Sequence, residues 1–263
     1  KTIRGDFEVG ADHYQKKLSY LASKSEAYLA FDKARQAVHQ GDLAAADQQI
    51  RTAIRQEPKE PRFFGLQGEI AYENKQYLRA MAHYKTALKI DPNYYEYYLG
   101  KGLVLFKLDR KQAAISDLKK SNQLLPNAVA THALGEISLE QGNKQAAKEY
   151  FRAVMKGSGA QAETAKLQFV KLDITANPQA YIDIQTLVRD QEIILKVTNS
   201  TPLEIKQMSI VINIESQGKS RQKTVSLNYL KGHQGKLLKT GIRPEPSIPT
   251  AIGTRIKAIH PSS

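Results

Sequence analysis

Three stretches of the chain decide its fold: Ala44-Ala-Ala46-Asp-Gln-Gln-Ile50-Arg-Thr-Ala53-Ile-Arg-Gln-Glu-Pro58, Leu78-Arg-Ala80-Met-Ala-His-Tyr84-Lys-Thr-Ala87-Leu-Lys-Ile-Asp-Pro92 and Gln112-Ala-Ala114-Ile-Ser-Asp-Leu118-Lys-Lys-Ser121-Asn-Gln-Leu-Leu-Pro126. Their prolines recur every 34 residues, and alignment on them brings other residues into register. Ala46, Ala80, Ala114 and Ala147 form one column; Ile50, Tyr84, Leu118 and Phe151 form a second; Ala53, Ala87, Ser121 and Val154 form a third. Upstream, Ala34, Gly68 and Gly102 align, and Gly135 continues the column one residue early. Small residues at fixed places let two helix backbones approach, a large apolar residue fills the space between hairpins, and proline stops the second helix by lacking an N–H. Gly41-Asp42, Asn74-Lys75, Leu108-Asp109 and Gly142-Asn143 sit at the turns inside each hairpin.

The pattern resembles the tetratricopeptide repeat (TPR), with a small residue at the eighth place, Ala at the twentieth and Pro near the end of each unit. At the fourth place stand Ala30, Phe64, Tyr98 and Thr131, so the family's usual Trp is missing. About four repeats over 27–158 are expected, more than the roughly three that a stable stack requires. A cap follows them: Ala165, Phe169 and Leu172 fall near one face of a helix over 161–172. Tyr14, Leu18 and Leu21 predict a leading helix over 11–25, after a loose tail carrying Gly5 and Gly10.

After Asn177-Pro178 the period changes. Tyr181–Val188, Glu192–Thr198, Ile205–Ile214, Lys223–Leu227, Lys236–Thr240 and Gly253–Ile259 read as six short strands, the third with one offset that suggests a bulge. The expectation is an α+β multidomain chain: a tail and leading helix over 1–26, a TPR superhelix over 27–175, and a small antiparallel β-sandwich over 176–263. The run Leu195–Leu203 is similar in shape to a turn of immunoglobulin-like accessory modules.

Composition narrows the function. The 263 residues carry 39 basic and 26 acidic side chains, a net charge of +13, with 41% hydrophobic residues and no cysteine. Disulfides, thiolate metal sites and cysteine nucleophiles are thereby excluded. The opening Lys1-Thr2-Ile3-Arg4 has neither Met nor a signal pattern, which reads as a fragment or a processed product. Basic and acidic residues interleave, which argues against a specific nucleic-acid stripe, and no apolar run is long enough to span a membrane. The six histidines include no metal-spaced pair, and Gly157-Ser158-Gly159 lacks the Lys-Ser/Thr of a phosphate loop. No catalytic residue, metal ligand or cofactor is expected in this chain.

What remains is a surface. The first helix of each TPR pair lines the concave side, which places Tyr28, Phe31, Arg35, Arg62, Glu69, Tyr72, Leu99, Leu103, Phe106, His132 and Glu136 in a groove for a protein or peptide partner. In chaperone-binding members of the family, cationic residues clamp a peptide's terminal carboxylate. The matching places here are Phe31, Arg35, Glu69, Leu99 and Leu103, of which Arg35 is the one cation, so a ligand held by apolar contact is expected. The groove could equally be covered by another domain. Tyr94, Tyr95, Tyr97 and Tyr98 serve either packing, with Tyr98 in the core position, or an aromatic rim for a bound peptide.

The runs Ala11-Asp-His-Tyr-Gln-Lys-Lys-Leu-Ser-Tyr-Leu21, Ala27-Tyr28 and Ile90-Asp-Pro-Asn-Tyr-Tyr-Glu-Tyr-Tyr-Leu-Gly-Lys-Gly102 resemble the C-terminal TPR region of Gram-negative HExxH zinc metallopeptidases, the group of the β-barrel assembly-enhancing protease. The resemblance implies a periplasmic, non-catalytic region that recruits or orients substrates or outer-membrane assembly partners. It also implies that zinc belongs to an upstream catalytic domain absent from this chain, against which this region packs. The alternative is a free-standing TPR scaffold or adaptor with no protease attached. Neither the client nor the oligomeric state can be read from the residues.

Overall fold

The computed structural model describes residues 2–244 and 250–261, with side chains from residue 15 onward. The chain forms two compact units, Lys1–Ile137 and Ser138–Ser263. Among the described residues, nine α-helices precede six β-strands.

The first unit is a series of helical hairpins: α1 (Thr2–His39) with α2 (Leu43–Gln56), α3 (Pro61–Glu73) with α4 (Tyr77–Ile90), and α5 (Tyr95–Lys107) with α6 (Lys111–Leu124). It then enters α7 (Ala128–Glu140). The sequence columns are the contact surfaces. Ala34, Ala46, Ala80 and Ala114 have no exposed surface, and neither do Ile50, Leu118, Ala53, Ala87 and Ser121. Tyr84, the bulky member of its column, is 7% exposed. A methyl group on Gly102 would sit 2.8 Å from the Leu118 side chain, which is why only glycine fits there. Within the aromatic run the buried member is Tyr97, equivalent to Phe63 one repeat earlier, rather than Tyr98, which is half-buried with Lys101 Nζ 5.7 Å above its ring. The residue one place before the expected core position carries the packing.

Helix starts follow their caps. Asp42 accepts from the Ala45 N–H at 2.9 Å, and Glu60 with Pro61 opens α3. Between α6 and α7 the repeat is one residue shorter, and side chains make up the difference. Asn127 Oδ1 accepts from the Ala130 N–H at 2.8 Å, while its Nδ2 donates to Ser121 Oγ and to the Leu125 carbonyl. Each intra-hairpin turn holds one left-handed residue, namely Gly41, Lys75, Asp109 and Gly142.

α1 differs from the expected tail and separate leading helix: it is one continuous helix that runs into the first hairpin. Nothing between Ala11 and His39 is Gly or Pro, so no residue terminates it. Leu18 and Leu21, whose spacing predicted the leading helix, are 55% and 51% exposed, and the Tyr14 side chain lies outside the described residues.

The second unit begins with α8 (Lys144–Val154) and α9 (Ala160–Asp173), a short 3-10 turn (Pro178–Ala180), and then β1 (Ile182–Arg189), β2 (Glu192–Asn199), β3 (Ile205–Ser216), β4 (Lys219–Leu227), β5 (Gly235–Lys239) and β6 (Thr250–Pro261). The strands form two antiparallel three-stranded sheets, ordered β1-β2-β5 and β4-β3-β6. The expected bulge is real. Ile205 faces Pro261 and Gln207 faces His260, which leaves Lys206 as the extra residue, so Met208, Ile210 and Ile212 all turn inward. Six described strands are one short of the seven of an immunoglobulin constant domain, so the immunoglobulin likeness is not established by this sheet pair.

α9 does more than cap a stack. Ala165 and Phe169 pack against Phe151 and Val154 of α8, while Val170 and Ile174 join the core formed by Ile182, Leu195, Ile205 and Ile210 of the sheets. At its end, the Asp173 carboxylate accepts from Lys148 Nζ, from Asn177 Nδ2 at 2.9 Å and from the Tyr181 hydroxyl at 2.8 Å. Burial pushes its pKa up, but the three donors outweigh burial and hold it below the usual carboxylate range.

Two outcomes follow from these contacts. Lys75→Gly and Asp109→Gly each relieve left-handed strain and should raise the stability of the first unit in urea titrations by about 1 kcal/mol. Asp173→Ala strands Lys148 in a largely buried site and should cost the second unit about 3 kcal/mol at pH 7. Because the folded pKa is depressed, this stabilisation is present above the unfolded carboxylate value and is lost as pH falls through the folded one. The gap between variant and wild type therefore closes below about pH 4.

Candidate functional site

The expected groove residues through Glu136 all lie in the first unit, on α1, α3, α5 and the first part of α7. α3 touches both α1 and α5, so the first helices lie side by side and present one face.

At the edge of this face, predicted groove residues bind one another. The Tyr28 hydroxyl donates to Glu60 Oε2 and accepts from Arg62 Nη2 at 3.0 Å. The Arg62 guanidinium lies 5.1 Å over the Tyr28 ring, and its Nε donates to Glu60 Oε1 at 2.8 Å. Hydrogen bonding from Arg62 keeps the Glu60 carboxyl below its ordinary range. The Tyr28 ring meets Phe63 edge-on at 5.5 Å, and Phe31 approaches the same ring at 5.1 Å. Tyr28, Phe31 and Arg62 thus build a corner that locks α1 to α3.

The middle of the face is different. Arg35 sits 5.9 Å from the centre of the Phe31 ring, and with His39 it faces Glu69 of α3. Desolvation raises the Glu69 pKa first, and the neighbouring Glu73 and Glu96 raise it further, against the opposing pull of His39 and Arg35. Among the described residues, Glu69 and Glu73 have no hydrogen bond or ion pair. The ring of Tyr84 reaches over from α4 between two glycines of the first helices. A methyl group on Gly68 would meet the ring at 2.9 Å, and one on Gly100 at 2.2 Å. Burial drives the Tyr84 pKa strongly upward, with Glu69, Tyr72, Glu73 and Glu96 adding to the effect. The phenol is therefore held neutral and packed between the two glycines.

At the far side, Leu99, Leu103 and Phe106 run along α5 as a half-buried strip. The Tyr72 and Tyr77 rings lie 5.7 Å apart, tilted by 58°, and burial, with the negative charges of Glu73 and Glu136 adding, pushes the Tyr72 pKa up. His132 Nδ1 stands 3.8 Å from Glu136 Oε2, one helical turn away.

The structure thus divides the eleven expected residues. Tyr28, Phe31 and Arg62 are engaged in packing with one another and with Phe63, whereas on the first helices Arg35 and Glu69 are exposed and Tyr72, Leu99, Leu103, Phe106, His132 and Glu136 are partly buried. Gly100, which seats the ring of the column residue Tyr84, was not singled out from the sequence. The available signal was Gly100 itself, since the equivalent places in the other repeats hold Asp32, Leu66 and Ala133. A glycine appearing once beside a tyrosine in the large-residue column marks a ring that needs room. No group of three or more His, Asp or Glu among the described residues could hold a metal ion, and no described helix is long and apolar enough to cross a membrane.

Comparison with known proteins bears on the repeats. Tetratricopeptide repeat models match residues 31–95 and residues 95–127 and 130–156. No curated protein matches the chain. Among solved structures, it is similar to Pseudomonas aeruginosa PilF at 18% identity, over 57% of this chain and 69% of that one, with a TM-score of 0.52. It is also similar to the Arabidopsis OM64 TPR domain, at 18% identity over 45% of this chain and 98% of that one with a TM-score of 0.44. A third is the first TPR of Spaghetti (RPAP3) bound to the HSP90 peptide SRMEEVD, at 21% identity over 45% and 95% with a TM-score of 0.44. The PilF likeness shows a shared fold. None of these matches links the chain to a metallopeptidase. Residues 31–156 are an array of tetratricopeptide repeats, a protein–protein interaction scaffold, and a β region follows it in the same chain.

Proposed function

We propose that this chain is a non-catalytic scaffold whose first-helix face grips a segment of a partner protein. The observation that carries the reading is the strip of Leu99, Leu103 and Phe106 on α5, with Tyr72 on the neighbouring α3: four large side chains, partly exposed, on adjacent first helices. Side chains of this size on a rigid support supply contact area with little entropy to lose. The partner is held chiefly by apolar contact, and the chain contributes position rather than chemistry.

That the scaffold serves an HExxH protease in a periplasm is a narrower proposal. It rests on the resemblance of the short segments 11–21 and 90–102, whereas the family matches cover the repeats that scaffolds of many kinds share. A free-standing adaptor is therefore the better supported reading. An HExxH-encoding segment upstream in the same reading frame would favour the protease tail, and its absence would favour the adaptor.

In peptides selected on the full chain by display, Tyr72→Ala or Phe106→Ala should each weaken binding by about tenfold, with helicity at 222 nm unchanged. Unchanged affinity in both variants would move the site away from this face. The purified chain incubated with zinc and unfolded casein should release no peptides; zinc-dependent cleavage would overturn the non-catalytic reading.

A further inference from the structure

An edge strand presents backbone groups that a further strand can bond, and proteins blunt such edges with charge, shortness, bulges or proline. Among the described strands, three of the four sheet edges are blunted in this way. β4 carries Lys219, Arg221 and Lys223 at alternate places, and β5 is five residues long. β6 holds Gly253, a register shift that leaves Lys257 as an extra residue, and a closing Pro261. β1 has none of these devices. It pairs with β2 residue for residue from Ile182 to Arg189 without a shift and contains neither Gly nor Pro. Every residue from Gln185 to Arg189 is exposed, including Leu187 at 43% and Val188 at 65%. The direction of its free backbone groups follows from the next strand. The Asn199 N–H donates to the Gln234 carbonyl at 2.9 Å and the Thr240 N–H to the Ile193 carbonyl at 3.2 Å, so Ile193 and Asn199 turn their backbone toward β5. Bonding direction alternates along an antiparallel strand. The β1 residues opposite them, Val188 and Ile182, and with them Ile184 and Thr186, therefore point N–H and C=O away from β2. Among the described residues, no hydrogen bond reaches these outward groups of Ile184, Thr186 and Val188.

We propose that β1 is the interface for a second copy of this chain, paired antiparallel across a two-fold axis at Thr186. The strand Ile182-Asp-Ile-Gln-Thr-Leu-Val-Arg189 is self-complementary about that point. Thr186 meets the partner's Thr186, Ile184 meets the partner's Val188, and Asp183 meets the partner's Arg189, the last two pairs each being made twice. The residues whose backbone faces outward oppose one another in this register, so it forms about six interchain hydrogen bonds. Ile184 and Val188 share one face of the strand and Asp183 and Arg189 the other, so apolar and charged pairs fall on opposite sides. Arg189 is available for its pair. Its neighbour across β2, Glu192, accepts from the Gly241 N–H at 2.6 Å, and among the described residues neither Asp183 nor Arg189 has an ion pair. Moving the axis along the strand in either direction sets Asp183 and Arg189 against other side chains, so charge selects one register. The two copies of the β1-β2-β5 sheet then run on as one continuous sheet. β1 lies in the second unit, so this inference is independent of the groove reading.

Sedimentation equilibrium of the full chain tests this in about 150 mM salt, where the long-range repulsion between two molecules of +13 is screened. It should show a monomer–dimer equilibrium with a Kd of about 10–100 μM. Asp183→Arg and Arg189→Asp each set like charges against one another twice, and each should weaken the dimer by about tenfold. The two substitutions together rebuild the pairs with their signs exchanged and should return the Kd to within about twofold of wild type. Thr186→Pro removes an N–H that faces away from β2, so it should abolish the dimer and leave the urea midpoint near that of wild type. Should the proline variant fail to fold, the charge exchange, made on exposed side chains, decides the matter by itself. A chain that stays monomeric up to about 500 μM overturns the proposal. So does a dimer that the single charge variants leave unchanged, or one that they weaken and the exchanged pair does not restore. A monomeric chain that binds an extended peptide, and loses it on Thr186→Pro, would overturn the second copy as occupant in favour of a strand from another protein.

Discussion

The structure of the first unit depends on close approach of helix backbones at positions where there is no room for a side chain. Ala46, Ala80 and Ala114 are fully buried where the second helices cross the first, and Gly68, Gly100 and Gly102 leave space on the first helices themselves. The Tyr84 ring enters the space at Gly68 and Gly100, and the Leu118 side chain that at Gly102. Were any of these glycines replaced, the inserted side chain would have to withdraw or the helices separate, because interiors are packed too densely to absorb a methyl group. The regular spacing of the hairpins, and hence the alignment of their first helices into one face, follows from this fit.

At Tyr84 the same constraint shapes the face itself. A leucine or isoleucine in that column would end inside the stack. The longer phenol reaches Gly100, and its ring fills the space between Gly68 of α3 and Gly100 of α5. A packing solution thereby ties the two first helices together, while Leu99, Leu103 and Phe106 run partly exposed along one side of α5. At the Tyr28 corner polar groups do the same. Glu60 and Arg62 satisfy each other, so that end of the face contributes rigidity to α1 and α3 rather than free binding groups.

Much of this was legible in the sequence, and what was not has a common cause. The period of 34 located the columns, the turns and the end of each hairpin, since backbone sterics act within a repeat and leave the same residue type each time. The six strands and the Lys206 bulge were visible because alternation of inward and outward residues is a local property. Tyr97 taking the core place expected of Tyr98, the self-pairing of Tyr28 with Arg62, and the seating of Tyr84 against Gly100 depend instead on which residues of different repeats meet. Periodicity carries no information about that. The continuous α1 was missed for a different reason: glycines at 5 and 10 weaken a helix without ending it, and no proline separates the leading segment from the first hairpin.

A double-mutant cycle on Tyr84 and Gly100, read by urea unfolding of the full chain, tests the central fit most directly. Gly100→Ala should cost about 1–3 kcal/mol in the wild-type background, where the new methyl meets the Tyr84 ring. In the Tyr84→Ala background the same substitution should cost nothing or stabilise, because the ring that excludes it is gone. An equal cost in both backgrounds would contradict the account, since Gly100 would then serve something other than the seating of Tyr84.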